Sequence, residues 1–270
     1  MGKGGVGKST IAEATARSLA KTGKKTLLCH VLDMSEKEQK LAEISPNLFE
    51  LTLNPSVSFR EYVQLKLPVK GLVSLLLGSK VIQYLEKAAP GVRELVFMGK
   101  IWHERSNYDR IVVDMPSTGY GLTMLYTPFN FANLFPGGPI YHDTQGIIQT
   151  LSDPKQTAFV TVCLPEEMPI QETIELGQKL ATLMPGNPQS LIMNRVIDME
   201  PEAIALAGKS SAENNPLSKA LHLIFSKFQD QKQKLDQFQK QAKWFSLPEI
   251  HEASETAITH AIQGFLEEQK

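Results

Sequence analysis

The chain has 270 residues, of which 42% are hydrophobic, 21% charged and 7% aromatic, with a formal net charge of -1. That composition suits an ordinary globular protein able to bury a sizeable core, and its balanced charge excludes a global field that would favour nucleic acid or an anionic membrane surface. Cys29 and Cys163, the two cysteines, both lie in apolar runs and exclude a disulfide frame, and no apolar run approaches the roughly 18–20 residues that span a bilayer. The expectation is therefore a cytoplasmic chain with no membrane span and no nucleic-acid partner. The six histidines show no metal-ligand spacing, which speaks against zinc.

The first predicted element is a loop. Gly2-Lys-Gly-Gly-Val-Gly7-Lys8-Ser9 satisfies G-x-x-x-x-G-K-[ST]. Glycines at these positions let successive backbone N–H groups curl inward around phosphate oxygens. In that pattern Gly4, Gly5, Val6, Gly7 and Thr10 supply main-chain amides, Lys8 reaches the β- and γ-phosphates, and the Ser9 hydroxyl joins a Mg²⁺ shell. The helix predicted to follow, Ile11 to Thr22, adds its positive N-terminal end. The implied ligands are ATP and Mg²⁺. The same glycines also fit G-x-G-x-x-G, with Asp33 near the place of a ribose-binding acid. That alternative, an NAD-dependent oxidoreductase, leaves Lys8 and Ser9 without a purpose.

Next come Lys24–Leu32 and Asp109–Asp114, read as buried parallel strands because their apolar runs do not alternate. Leu48–Leu53 alternates and stops at Asn54-Pro55, and residues 56–105 read as mostly helical. Ala158–Leu164 and Ser190–Asn194 are two further strands, with a helix between them at about 170–184. Leu217–Lys243 reads as a long amphipathic helix, and a last helix falls at about 252–268. Strands alternating with helices predict an α/β fold: a doubly wound, mostly parallel sheet with helices on both faces. A single domain over 1–270 is expected, with a small helical subregion from about 56–105 and 125–156.

A loop of this type normally hangs from a central strand, yet only Met1 precedes it. Removing that strand would leave backbone groups unpaired on both neighbours, each costing roughly 1–3 kcal/mol. The expectation is that the natural chain starts upstream. The alternatives are a sheet with a real gap, or a substitute strand such as 48–53.

Lys3 narrows the loop. K-G-G-x-G-K-S/T resembles the deviant P-loop of the family that holds the partition and septum-site ATPases, nitrogenase iron protein, and the arsenical-pump and tail-anchored-protein-targeting ATPases. The resemblance implies that Lys3 crosses a dimer interface to the partner's nucleotide and neutralises transition-state charge there. Tyr108 to Leu125 resembles the arsenical-pump and targeting branch's Y-D-x-x-x-x-D-T-A-P-T-G-H-T-L-R-x-L, matching at Asp114, Thr118, Gly119, Leu122 and Leu125. Met115, Pro116, Ser117 and Tyr120 depart from it. By this resemblance Asp114 holds a Mg²⁺-bound water and the Thr118-Gly119 turn senses the γ-phosphate. Asn194 reads the adenine edge, and Pro248, in Leu247-Pro248-Glu249, packs on the base.

Three departures qualify the likeness. The branch's S-T-D-P-A strand end puts Leu32 where the water-orienting Asp belongs, with Asp33 one position late. No CxxC is present for a zinc clamp. The segment after Leu125 is short, so a client surface would rest on Met124, Leu125, Phe129, Phe131, Leu134 and Phe135, which would otherwise pack onto residues 56–100. The implied function is an ATPase switch, acting as a homodimer or paralogue heterodimer on an unknown protein client. The rival reading is a nucleotide-gated scaffold with little or no hydrolysis.

Overall fold

Small residues decide where the first helix can lie. Helix α1, Lys8–Lys21, buries Ile11, Ala14, Ala16, Ser18 and Ala20, and short side chains on that face let it sit close against strands. The computed structural model describes residues 1–31, 40–54, 57–58, 61–62, 91–187, 189–209, 216–239, 244–251 and 254–268. After α1 come β1 (Thr26–Val31), β2 (Lys40–Ser45), β3 (Leu48–Leu53), α2 (Val92–Glu104) and β4 (Arg110–Asp114). Then follow α3 (Thr118–Leu134), α4 (Gly138–Ser152), β5 (Phe159–Cys163), α5 (Glu167–Leu183) and β6 (Gln189–Val196). The chain closes with α6 (Pro201–Lys209), α7 (Pro216–Gln239), β7 (Phe245–Pro248) and α8 (Glu255–Glu268).

The strands form two sheets with orders β2-β3-β1-β4 and β5-β6-β7. Pairing is parallel throughout except for the β2–β3 hairpin. Strand alternation sends Leu27, Cys29 and Val31 to one face, where they join Phe97, Leu122, Leu125, Ile147, Leu176 and Leu180 from α2, α3, α4 and α5. On the opposite face Leu28 and Leu48 meet Ala16 and Ala20 of α1. The same helix reaches the second sheet, where Ile11 and Ala14 pack with Val162, Ile192, Leu247 and Ile262. Helices thus cover both faces, as the doubly wound reading requires, and α1 bridges the two sheets.

Among the described residues β4 and β5 each pair with a strand on one side only. Ile111, Val112 and Val113 of β4 are only half-buried, and Val160 of β5 is 39% exposed, whereas every apolar residue of β1 is buried. Met1 and Gly2 lie beside β5: the Met1 amino group donates to the Val160 carbonyl (2.6 Å), its carbonyl accepts from the Val162 N–H (2.8 Å), and a Cβ on Gly2 would meet the Val162 carbonyl. The substitute strand considered above does not fill this place, because β3 pairs with β1 and β2.

The other predicted elements recur with shifted bounds, while β2, β7 and α6 were not expected from the sequence. Cys29 and Cys163 are buried free thiols on β1 and β5. Most of residues 56–90 lies outside the described residues, while 92–104 is helical. Along α7 the predicted apolar stripe is covered only late: Phe238 is buried, but Leu217 and Ile224 are exposed. The six candidate client residues also divide. Met124 and Leu125 are in the core, while Leu134 and Phe135 are exposed, with Phe135 stacked on Phe131. Among the described residues no helix is long and apolar enough to cross a membrane.

Candidate functional site

Three positive-φ glycines shape the loop ahead of α1, Gly2 (φ 140°) among them. Gly5 (φ 81°) and Gly7 (φ 93°) adopt left-handed backbone, which costs other L-residues roughly 1–2 kcal/mol. Gly7 is the N-cap of α1, and its position is tight: a Cβ there would meet Asn194 Nδ2 at 2.5 Å. Around Gly4 and Gly5 a Cβ would meet nothing within 4 Å, so that part of the cradle is open. No acidic side chain and no side-chain cap lies at the start of α1. Its first-turn N–H groups and its dipole are therefore left to an external anion.

Lys8 completes the cradle. Its ammonium folds back and donates to the Lys3 carbonyl at 2.8 Å. Burial lowers its pKa, partly offset by the attraction of Asp114. A cation that has lost water and holds only a carbonyl gains much from a phosphate oxygen. Val6 is fully buried, and its carbonyl accepts a hydrogen bond from Asn194 Nδ2 at 2.9 Å. The Asn194 amide thus lies against the phosphate loop and props it from β6. Thr10 continues into the first turn of α1, and Ser9 lies beside Asp114.

Asp114 ends β4 and is 8% exposed. Burial pushes its pKa up, but hydrogen bonds from His30 and Ser9, with the charge of Lys8, bring it below the ordinary carboxylate value. It therefore stays ionised beside the Ser9 hydroxyl, the donor set that Mg²⁺ favours. Thr118 begins α3, and its Oγ1 is buried with no hydrogen-bond partner among the described residues. An orphaned hydroxyl at the turn after Asp114 is a position where a phosphate oxygen would be satisfied. Gly119 follows on the exposed side of the same turn. The residues present thus fit a nucleotide triphosphate with a divalent ion.

The remaining candidates lie further out. Lys3 pairs with Glu172 Oε1 of α5 at 2.9 Å, both side chains about one-third exposed. Pro248 closes β7 opposite Val196, just beyond Asn194 on β6. Asp33 lies outside the described residues. One contact was not read from the sequence: His30 Nδ1 stands 3.3 Å from Asp114 Oδ2, and its Nε2 stands 3.1 Å from Glu50 Oε1. The hydrogen bond to Asp114 raises the pKa of His30 against the opposing effect of burial. The available signal was a polar ring within an apolar strand, but nothing local tied it to an acid 84 residues away.

A glycine-cradled phosphate loop feeding a helix, between layers of a mostly parallel sheet, defines an α/β protein of the P-loop nucleotide-binding class. Comparison with known proteins narrows it. The family model described as "Anion-transporting ATPase" matches residues 1–136 and 139–243, and the chain belongs to that family. It is 32% identical to ATPase BagA of Mycobacterium tuberculosis over 239 residues, covering 78% of this chain and 69% of that protein. It is 25% identical to ATPase ASNA1 homolog 1 of Paramecium tetraurelia, covering 73% of each chain. Against the arsenical pump-driving ATPase of Escherichia coli the identity is 26%, over 82% of this chain and 41% of that protein.

Proposed function

We propose that the protein binds ATP with Mg²⁺ in the loop between Gly2 and Thr10 and hydrolyses the γ-phosphate, as a dimeric switch acting on a protein client. The observation that carries this reading is the joint placement of a partly desolvated Lys8, an ionised Asp114 touching Ser9, and the unpartnered Thr118 hydroxyl at one end of the sheet. Gly4, Gly5, Val6, Gly7, Ser9 and Thr10 would hold the phosphates through backbone amides and hydroxyls. Ser9 and Asp114 would hold the metal, which supplies charge neutralisation at the phosphate oxygens.

The protein's part in the reaction is positioning and electrostatics, since phosphoryl transfer asks little covalent chemistry of it. Lys8 brings its charge to the β- and γ-phosphates in a site whose partial burial strengthens the attraction. The Thr118-Gly119 turn, at the start of α3, would report the presence of the γ-phosphate to that helix. Asn194 and Pro248 sit at the ends of β6 and β7, where an adenine would lie. Asp33 would orient the attacking water.

Lys3 supports a second reading. Its ammonium pairs with Glu172 of its own chain, and a trans role requires that pair to open when a second subunit docks. A protein that stays in the paired state would be a nucleotide-gated scaffold with little turnover. Calorimetry with ATP and ADP, each with magnesium, tests the shared premise, and absence of affinity in folded protein sinks both readings. Phosphate release then separates them: turnover that collapses in Lys3→Ala while ATP still binds supports the ATPase, and binding without turnover supports the scaffold.

A further inference from the structure

Strands β3, β1 and β4 place Asp114 in a row of polar side chains whose other two members, His30 and Glu50, the proposed nucleotide chemistry does not use. Strand β1 lies between β3 and β4. His30 is the direct register partner of Asp114, so both side chains leave the same face of the sheet. Glu50 is the partner of Leu28, two residues before His30, and shares that face by the same alternation. This is the face that α1 covers, since Leu28 packs against Ala16 and Ala20. The order across the strands is Glu50, His30, Asp114, and Ser9 of α1 hydrogen-bonds to Asp114 from above.

We infer that His30 is a positioning residue: clamped at Nε2 by Glu50, it holds Asp114 through Nδ1, aligns that carboxylate with Ser9, and so sets how strongly the site grips a divalent cation. The geometry makes the clamp rigid. Both ring nitrogens are engaged, at 3.1 Å and 3.3 Å, and the His30 side chain is 18% exposed, so the ring has little room to turn. Asp114 also feels a competing pull. Lys8 attracts it, and a carboxylate released from His30 would turn toward that ammonium. Each group would then neutralise the other, and the site would lose a metal ligand and a phosphate ligand together. His30 keeps the two apart for their separate partners. Outer groups that orient a metal-binding side chain in this way commonly control metal affinity without touching the metal.

This inference rests on the nucleotide reading, and the experiment keeps the two separable. Binding of a fluorescent ADP analogue is measured with excess EDTA and again with Mg²⁺, and the ratio of the two affinities is the readout. In the native protein Mg²⁺ is expected to tighten binding. His30→Asn places an amide donor where Nδ1 stands, keeping the bond to Asp114 and giving up Glu50. His30→Gln places its donor where Nε2 stands, keeping Glu50 and giving up Asp114.

The expected result is that His30→Asn retains most of the magnesium gain, while His30→Gln loses about tenfold of it or more. A purely structural histidine would make the two amides behave alike, and equal ratios in the folded variants overturn the inference. Retention in His30→Gln with loss in His30→Asn overturns it as well. If the native protein binds nucleotide equally well with and without Mg²⁺, the inference alone falls. If the native protein binds none, the functional reading falls first and this one with it.

Discussion

Replacing Gly7 by alanine perturbs one backbone angle and one buried contact, and the structure gives a cost for each. With φ at 93°, a Cβ at this position carries roughly 1–2 kcal/mol of left-handed strain. The new methyl would also stand 2.5 Å from Asn194 Nδ2, so the amide must leave Val6. Breaking that buried hydrogen bond strands a donor and an acceptor, adding about 1–3 kcal/mol. The sum, about 2–5 kcal/mol, is a large part of a domain stability of roughly 5–15 kcal/mol. Gly4→Ala is the control, because a Cβ there meets nothing within 4 Å and its φ lies outside the left-handed region. It should stay within about 0.5 kcal/mol of the native chain. Urea unfolding followed by circular dichroism measures both, and the double variant with Asn194→Ala tests the mechanism. Removing the amide removes the clash, so the double variant should be less destabilised than the sum of the singles. Strict additivity, or a Gly7→Ala cost no larger than that of Gly4→Ala, would refute the reasoning.

Glu172→Gln removes a half-exposed partner of Lys3, so its cost in stability should be about 0–1 kcal/mol; phosphate release at high protein concentration should rise, because Lys3 is freed for a second subunit. The His30–Asp114 contact sets a pH window. His30 has a raised pKa, so its contribution is complete below its ordinary 6.5 and is lost as pH rises through the folded value. Asp114 has a lowered one, so its contribution is complete above its ordinary 3.8 and is lost as pH falls through the folded value. Melting curves of the native protein and His30→Gln should therefore differ most between those limits and converge in alkali.

The parts of the fold that were legible in the sequence are those where burial leaves an unbroken apolar run. Thr26–Val31 and Phe159–Cys163 announce themselves in this way, and the glycine loop announces α1. Two strands were missed for opposite reasons. Lys40–Ser45 is an exposed antiparallel edge with neither an apolar run nor alternation, its Leu41 and Ile44 facing solvent. Phe245–Pro248 is four residues long and ends in proline, so it gave no strand signal and entered only through the Leu247-Pro248-Glu249 motif. At the candidate site, Lys8, Ser9 and Asp114 were singled out because their spacing is local or their motif specific, and the fold brings them together. His30 and Glu172 were not, since sheet register brings His30 to Asp114 and helix docking brings Glu172 to Lys3. Asn194 was found as a residue, but its contact with Val6 belongs to the folded chain alone.

The parts of the candidate site come from both sets of paired strands. The phosphate loop is tied to the second sheet, through Met1 to Val160 and Val162 and through Asn194 to Val6. Asp114, His30 and the Thr118 turn belong to the first sheet and the helix after it. Among the described residues no strand pair joins β4 to β5, but α1 packs on both sheets and the main core cluster holds β1 residues together with Phe159 of β5 and Leu176 and Leu180 of α5. On the proposed reading, a triphosphate gripped by the loop, with a metal gripped by Asp114, would add a link between the loop and the end of β4. Its binding energy would appear as stabilisation of their junction. On this argument ATP with Mg²⁺ should stabilise the protein more than ATP with EDTA, since the metal supplies the link to Asp114. Loss of the γ-phosphate would release the Thr118 turn while the loop still holds the diphosphate. On the proposed reading, the response to hydrolysis would therefore begin at the turn after Asp114 and pass into α3.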